Sequence, residues 1–188
     1  MLKKDTSAFA PLFALLALTL SPAVLNVSRA QSGALEGPLE DLSAFPQTTV
    51  QILHGKKKKD PRVFNVWIAN TPSRQEQGLM FAQALPQGQG MFLALKKPRR
   101  LNLWMKDTYI ELDMLLFDEN GAIIQIIEHA RPLSVDKILS QKDVLDVLEI
   151  GGGEASRLGI KVGDHIDWTA PDDCDCTLVP PEKKPLPK

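Results

Sequence analysis

The stretch LDMLLFDENGAIIQII, residues 112–127, decides the fold because it places two apolar runs on either side of a short polar turn. Gly121 tolerates a positive φ, and a turn of this kind between apolar runs is typical of a β-hairpin. Both runs are apolar at nearly every position, which indicates strands that are covered on both faces. We therefore predict a hairpin of Leu112–Phe117 and Ala122–Ile127 at the centre of a sheet.

The segments before and after this hairpin predict further short strands joined by polar turns. Thr71 can cap a short helix that begins at Pro72 and ends at Gly78, and a second helical segment ends at Gly159. Seven or eight strands, two small helices and no βαβ rhythm predict a mostly β protein, a compact antiparallel sandwich or barrel. The other predicted strands are 48–53, 62–69, 91–95, 100–105, 143–150 and 163–168.

The first thirty residues have the order of a secretory signal peptide. Lys3 and Lys4 precede an apolar run from Ala8 to Leu25, and Ser28 and Ala30 are the small residues of a cleavage site after Ala30. The run is close to the ~20 apolar residues of a spanning helix, so an uncleaved membrane anchor is the alternative. We expect an exported protein, periplasmic or extracellular, with no membrane span after signal cleavage.

Composition divides the remaining chain into three parts. Residues 31–47 are rich in Gly, Ser, Pro and acidic residues and are predicted to be a flexible leader. Residues 48–169 contain the predicted strands and form the β-rich domain. Residues 170–188 are rich in Pro and Lys and lack the apolar residues of a core, which predicts a disordered tail.

The charge balance excludes general nucleic-acid binders. The chain has 22 basic and 23 acidic residues, a net charge of −1, whereas phosphate binding needs a basic surface. Removing Lys3, Lys4, Arg29 and Asp5 with the signal peptide leaves 19 basic and 22 acidic residues, a net charge of −3.

The cysteines and histidines offer little for a metal site. Cys174 and Cys176 are separated by one residue, and a disulfide within the chain across that gap is strained. We expect intermolecular disulfides or free thiols there, with soft-metal binding as a minor alternative. His54, His129 and His165 lack the local spacing of metal ligands, so no metal and no cofactor are predicted.

Five segments of the chain occur in an order that resembles one family. They are RQEQGLM, GMFLAL, LWMKDT, ELDMLLFDENGAII and VLEIGGGEASRLGIKVGD, and the resemblance extends from about Val50 to Trp168. The chain resembles the domain-of-unknown-function family one hundred and ninety-two, a family of small, often exported prokaryotic domains. The resemblance implies a compact β-rich domain, and it implies no activity.

Three places depart from the pattern of that family. Asp107 stands where the family often has Asn, Phe81 and Ala82 stand where a basic residue is common, and Glu111 stands where Pro is common. These changes make the region more acidic, which argues against an anion bound beside these residues.

The segment NLWMKDTYIELD, residues 102–113, contains the predicted functional surface. Side chains of a strand alternate between two faces, which places Asn102, Trp104 and Lys106 opposite the Leu and Met residues of a core face. One alternative is a binding face, with Trp104 as a stacking platform and Lys106 as a charge partner. The other is packing, in which the stem of Lys106 lies along the tryptophan ring.

Asp113 has the parity of core residues in a strand that we expect to be buried. Burying an ionised carboxylate alone costs several kcal/mol, so this group needs a partner. Lys106 and Arg74 are the expected cations, and Asn102 is a further donor. Arg74, on the first predicted helix, is expected to pair with Asp113 or Glu149 rather than to bind an anion.

Two functions are consistent with these features. The first is a non-catalytic module of the cell envelope that binds a small ligand, a glycan or an envelope protein. The second is a small hydrolase or lyase acting on cell-wall or sugar material, with acid–base groups among Asp107, Glu111, Asp113 and Lys106. We prefer the first because ion pairing and turn chemistry explain the acidic cluster. The candidate ligand-binding residues are Arg74, Asn102, Trp104, Lys106, Asp107 and Asp113.

Overall fold

A computed structural model describes residues 40–54, 60–172 and 174–176 of the chain. The predicted signal peptide, most of the predicted leader and the end of the predicted tail lie outside these ranges. None of the helices in the described ranges is long and apolar enough to cross a membrane.

The described residues form nine strands, two α-helices and one 3-10 helix, so the prediction of a mostly β fold is confirmed. The 3-10 helix is Leu42–Ala44, and the α-helices are α1 (Pro72–Gln77) and α2 (Glu154–Leu158). The strands are β1 (Gln47–Leu53), β2 (Arg62–Ala69), β3 (Gln89–Arg99), β4 (Asn102–Leu103), β5 (Leu112–Phe117), β6 (Ile123–Ala130), β7 (Ile138–Leu139), β8 (Val144–Gly151) and β9 (His165–Trp168).

Seven strands form one sheet, in the order β6-β5-β8-β3-β2-β1-β9, which curls into a half-barrel. Its two edges meet at one end, where Ile123 N donates to Asp164 O and Ile166 N donates to Gly121 O, each at 2.8 Å. β4 and β7 form a separate two-stranded sheet. The half-barrel therefore has a short seam at one end and an unpaired length of β6 beyond it.

One pair of neighbouring strands in the large sheet, β2 and β3, is parallel, and α1 lies in the crossover between them. The described residues thus contain one βαβ unit, although the sequence shows no βαβ rhythm. α1 has the predicted boundaries: the Thr71 side chain accepts a hydrogen bond from Arg74 N at 3.3 Å, Pro72 follows, and Gly78 ends the helix at φ 49.

Apolar side chains cover both faces of the sheet because the central strands alternate between two clusters. On β3, Met91 and Leu93 belong to the first cluster, and Phe92 and Ala94 belong to the second. β5 is buried throughout and lies between β6 and β8. Full burial of a large apolar side chain contributes ~1.5–3 kcal/mol, so these central strands carry much of the stability of the domain.

The predicted hairpin of residues 112–127 is present, with Gly121 at φ 76 in its turn. The prediction that both of its strands lie centrally is wrong for β6, which forms an edge of the sheet. Apolar side chains still cover both faces of β6, since Ile124 packs against the first cluster and Ile126 against the second. The apolar pattern predicts that both faces of a strand are covered, but it does not predict the position of that strand in the sheet.

β3 is longer than predicted, and β4 is shorter. β3 continues to Arg99, with an irregular register against β8 after Ala94. β2 pairs with β3 only as far as Leu93, so Pro98 lies on an open edge and removes no hydrogen bond to β2. The predicted strand of residues 100–105 is reduced to the two residues of β4.

Parts of the predicted leader and tail pack on the domain. Phe45, which follows the 3-10 helix, is 3% exposed and belongs to the first cluster. Cys174 and Cys176 pack against the second cluster and form a disulfide, with their Cα atoms 5.0 Å apart. Intermolecular disulfides or free thiols were expected there, whereas the structure pairs the two cysteines within the chain.

Candidate functional site

A cleft of about 840 Å³ opens between α1, the far end of β3 and the segment that includes β4. The crossover through α1 returns the chain to β3, and β3 then extends beyond the last residue that pairs with β2. Beyond that residue, none of the described strands pairs with β3 on the side of α1. The parallel β2–β3 pair therefore creates the cleft.

The floor of the cleft is apolar. Leu79, Leu93, Leu101 and Met105 line it, and all four are buried members of the first core cluster. Trp104 also lines the cleft and is 40% exposed. Half of the residues that line the cleft are polar or charged, and a concave site that combines apolar surface with polar groups is typical of small-molecule binding.

Glu149 is a buried carboxyl group in the wall of the cleft. It lies two residues after Val147 on β8, and Val147 belongs to the first cluster, on the cleft side of the sheet. Glu149 is 7% exposed, and its Oε2 has no hydrogen-bond partner among the described residues. Burial raises the pKa of the Glu149 carboxyl to about 7, because the charged form loses its hydration.

Four exposed cations form the rim of the cleft at the end of β3: Lys96, Lys97, Arg99 and Arg100. Lys96 Nζ lies 3.1 Å from an oxygen of Asp175, and Arg100 Nη1 donates to a backbone carbonyl at 3.0 Å. Lys97 and Arg99 have no ion-pair partner in the part of the chain that the structure describes. The cleft therefore has an acidic inner wall and a basic rim, separated by an apolar floor.

Two of the six predicted binding residues, Asn102 and Trp104, line the cleft. Met105 is buried while Trp104 is exposed, but the two opposite faces predicted for this segment are not separated, since Leu101 and Met105 line the same cleft as Asn102 and Trp104. Lys106 and Asp107 are not part of the lining, and Lys106 Nζ lies 4.0 Å from Asp107 Oδ2. The structure therefore separates Trp104 from the cation that was predicted to act with it.

Arg74 lies on α1 and pairs with neither Asp113 nor Glu149, so that prediction is wrong. Its Nε donates to Glu40 Oε2 at 2.9 Å, and its guanidinium lies 4.9 Å from the centre of the Phe45 ring. The hydrogen bond from Arg74 lowers the pKa of the Glu40 carboxyl. The true partner was missed because Glu40 belongs to the segment that we predicted to be a flexible leader.

Asp113 is fully buried, at 0% exposure, but its partners are backbone amides. Its Oδ1 accepts from His129 N and its Oδ2 accepts from Ala155 N, each at 2.9 Å. The prediction of Lys106 or Arg74 as a cationic partner is therefore wrong. Two N–H donors satisfy the carboxylate oxygens, and one of them lies in the first turn of α2, where free amides point outward. Asp113 thus joins β5 to β6 and to α2.

Glu111 and His129 form a second pair next to this buried group. His129 Nδ1 lies 2.7 Å from Glu111 Oε1, and both side chains are about half exposed. The hydrogen bond with Glu111, and then the charge of Glu111, raise the pKa of the His129 imidazole. Neither side chain lines the cleft.

Sequence reasoning missed Glu149 and the basic rim as site residues. The available signal was an acidic residue inside the apolar strand DVLDVLEI, but Asp146 gives the same signal and lies outside the cleft. Burial raises the pKa of Asp146 to about 7 as well, against a backbone hydrogen bond from Leu95 that lowers it. The sequence does not show which of the two carboxyl groups faces an open space.

Comparison with known proteins gives a family but no activity. The sequence matches the family DUF192 (Uncharacterized ACR, COG1430) over residues 53–168. A structure described as a putative transcription regulator from Sinorhizobium meliloti 1021 is 33% identical, with a TM-score of 0.63 over 66% of this chain and 95% of that chain. A protein of unknown function from Novosphingobium aromaticivorans DSM 12444 is 30% identical, with a TM-score of 0.64 over 70% of this chain and 91% of that chain. No curated protein matches the chain significantly.

The matched range extends from the end of β1 to the end of β9 and includes every residue that lines the cleft. It also includes the five ordered segments from which the resemblance was inferred. The chain therefore belongs to the uncharacterised family DUF192.

Proposed function

We propose that this protein is a non-catalytic binding module of the cell envelope that holds a small ligand in the cleft. The observation that carries the proposal is the cleft of about 840 Å³, whose apolar floor is continuous with the core. Concave sites of this size that combine apolar surface with polar groups typically hold small molecules. The envelope part of the proposal rests on residues 1–30, which have the order of a secretory signal.

The side chains predicted for acid–base catalysis support a binding role because they do not meet at the cleft. Asp113 accepts hydrogen bonds from two backbone amides, Glu111 contacts His129, and Lys106 lies near Asp107. None of these side chains lines the cleft. Each has a structural explanation that requires no substrate.

A small hydrolase or lyase is the second candidate function, and Glu149 is the observation that favours it. A carboxyl group with a pKa near neutrality can act as a general acid or base. Incubation with cell-wall glycan fragments, followed by mass spectrometry, separates the two functions. Product formed by the wild type and lost in Glu149→Gln supports the enzyme, whereas unchanged fragments support the binding module.

Trp104 and Tyr109 provide a matched pair of variants for testing the binding site. The two aromatic residues are 40% and 45% exposed, but only Trp104 lines the cleft. We expect the neutral fluorescent probe N-phenyl-naphthylamine to bind the wild type, and Trp104→Ala to weaken binding by about tenfold through the loss of aromatic contact. Tyr109→Ala should leave the affinity unchanged.

Fluorescence titration measures these affinities, and circular dichroism of each variant confirms matched folding. The absence of probe binding to the wild type would refute the proposal. An equal loss of affinity in the two variants would place the bound probe outside the cleft and refute it as well.

A further inference from the structure

The inner wall of the cleft contains an unpaired acceptor, while neighbouring amide side chains are paired. Gln75 Nε2 donates to Ala94 O at 2.8 Å, and Gln77 Nε2 donates to Glu40 O at 2.7 Å. Oε2 of Glu149 receives no hydrogen bond from the described residues, although more than nine-tenths of the residue is buried. Buried oxygens of this kind are normally satisfied, so a ligand that brings a donor to this point is favoured.

The Glu149 carboxyl group lies next to α1, and its Oε2 is buried there. Gly78 lies there without a side chain, and a Cβ at that position would be 3.7 Å from Glu149 Oε2. Both Gly78 and Glu149 line the cleft. Glu149 therefore borders the space that a ligand would occupy, and a donor that reaches its carboxyl group would meet an acid with no partner among the described residues.

The end of β3 gives the rim of the cleft the opposite charge, next to the exposed carboxylate of Glu76 on α1. Lys97 and Arg99 are exposed at the end of β3 and have no ion-pair partner within the described ranges. The acidic departures from the family pattern at Asp107 and Glu111 do not affect this rim, because neither residue lines the cleft. An anionic group at the mouth would therefore meet cations.

Charge complementarity fixes the orientation of a ligand. An acidic group at the inner wall would face the carboxyl group of Glu149, and a basic group at the mouth would face Lys97 and Arg99. Leu93 and Leu101 lie on the floor between these ends and offer no hydrogen-bonding side chain. The part of the ligand that lies over them is therefore apolar.

We propose that the cleft binds an amphiphilic anion. Its acidic group contacts Lys97 and Arg99, its apolar body lies on the floor, and its far end donates a hydrogen bond to Glu149. A medium-chain acid with a hydroxyl group at the end remote from the carboxylate is the simplest member of this class. The inference rests on the proposed binding function and adds the chemical class of the ligand.

Three probes separate the contributions of the two ends. ω-Hydroxydecanoate has both polar groups, decanoate lacks the remote hydroxyl, and decanol lacks the carboxylate. Each probe competes with bound N-phenyl-naphthylamine at about pH 8, where Glu149 is largely ionised. We expect decanoate to be about tenfold weaker than ω-hydroxydecanoate, because it cannot donate to a charged acceptor. Decanol should be about fivefold weaker, because exposed ion pairs contribute less.

Variants test which residue causes each difference in affinity between the probes. Glu149→Leu removes the acceptor, so ω-hydroxydecanoate and decanoate should become equal competitors. The double variant Lys97→Gln, Arg99→Gln should reduce ω-hydroxydecanoate to the level of decanol. The charge-matched control Arg131→Gln, Lys161→Gln changes two cations that do not line the cleft, and it should behave as the wild type.

The outcomes distinguish the two proposals. Equal competition by the three probes in the wild type overturns the amphiphilic-anion inference, while probe binding itself still supports the cleft as a binding site. A wild type that binds no N-phenyl-naphthylamine overturns both. Glu149→Leu replaces a buried acid with an apolar side chain and should fold; if it does not, the comparison of the three probes in the wild type still decides the inference.

Discussion

The side chain of Asp113 is buried in the core and accepts hydrogen bonds from two backbone N–H groups, one from β6 and one from the first turn of α2. Hydrogen bonds to an ionised acceptor are stronger than those between neutral groups, so no lysine or arginine is needed nearby. The sequence shows that such a residue requires donors. It does not show that the donors are amides of residues distant in the chain.

Replacing Asp113 with Ala should destabilise the domain by ~3–5 kcal/mol, because it leaves the buried N–H groups of His129 and Ala155 without acceptors. Asp143→Ala removes an exposed carboxylate and should change the free energy of unfolding by less than ~1 kcal/mol. Urea unfolding followed by circular dichroism measures both. Similar effects in the two variants would mean that the buried hydrogen bonds of Asp113 contribute little.

The Glu111–His129 pair gives a prediction that NMR can check directly. Glu111→Gln should lower the pKa of His129 toward its ordinary value near 6.5, because the hydrogen bond and the charge of Glu111 are the largest causes of the increase. Glu128→Gln removes a smaller contribution and serves as the control. A pKa of His129 that does not change in Glu111→Gln would show that the contact at 2.7 Å is not populated in solution.

At the scale of residues, sequence patterns predicted which side chains alternate along a strand or cap a helix. They did not predict which distant residues these side chains contact. The end of α1 at Gly78 followed from a helix-termination signal, whereas Trp104 lies outside the two residues of β4. Glu40 and Glu149 were not recognised as important, because their roles depend on segments that meet only in the folded chain. A pairwise contact between distant residues leaves no local mark in one sequence.

At the scale of elements, the backbones of β3 and β8 approach each other closely at Gly90. A Cβ on Gly90 would lie 2.5 Å from Glu149 O, whereas a Cβ on Gly151 would lie no closer than 3.7 Å to its nearest neighbour, a side-chain atom of Glu154. Gly90→Ala should therefore destabilise the domain by ~1–3 kcal/mol, since strands must separate. Gly151→Ala should be neutral or slightly stabilising.

Thermal unfolding of the two glycine variants tests how closely β3 and β8 pack at Gly90. A large loss in Gly151→Ala together with no loss in Gly90→Ala would contradict the observed register of β3 against β8. The same preparations also report on the cleft, because a shift of β8 would move Glu149.

The elements themselves were largely predictable, and their order was not. The β5–β6 hairpin and both helices followed from glycine turns, a threonine cap and apolar runs. The edge position of β6 and the extension of β3 to Arg99 depend on which strand lies alongside, which is a property of tertiary pairing. The cleft was not predicted for the same reason, since it exists only where β2 stops pairing with β3.

At the scale of the whole molecule, two buried acids make stability depend on pH. Burial raises the folded-state pKa of Glu149 and of Asp146 to about 7 from ordinary values of 4.5 and 3.8. The folded state therefore retains protons that the unfolded chain releases, and the stability that these two groups contribute is fully present below their unfolded pKa values. It is lost as the pH rises from the unfolded pKa through about 7, by on the order of 3 kcal/mol for each group.

Unfolding free energies measured between about pH 5 and pH 8 should therefore fall with rising pH. The double variant Glu149→Gln, Asp146→Asn should flatten this slope, because the amides do not titrate. His129, whose pKa is also raised, contributes in the same direction but is exposed. A wild type that becomes more stable toward pH 8 would contradict the burial of these acids.

Glu40 has a consequence for how the domain is held. Its carboxylate accepts a hydrogen bond from Arg74, and its backbone N–H and C=O bond to the side chain of Gln77, so one residue holds α1 both at its middle and at its last residue. α1 is also one wall of the cleft. A pulling force applied to the chain just before Glu40 would therefore act on α1 before it acts on any strand of the half-barrel. Cleavage of the peptide bond after Glu40 would loosen α1, while the sheet keeps its hydrogen bonds.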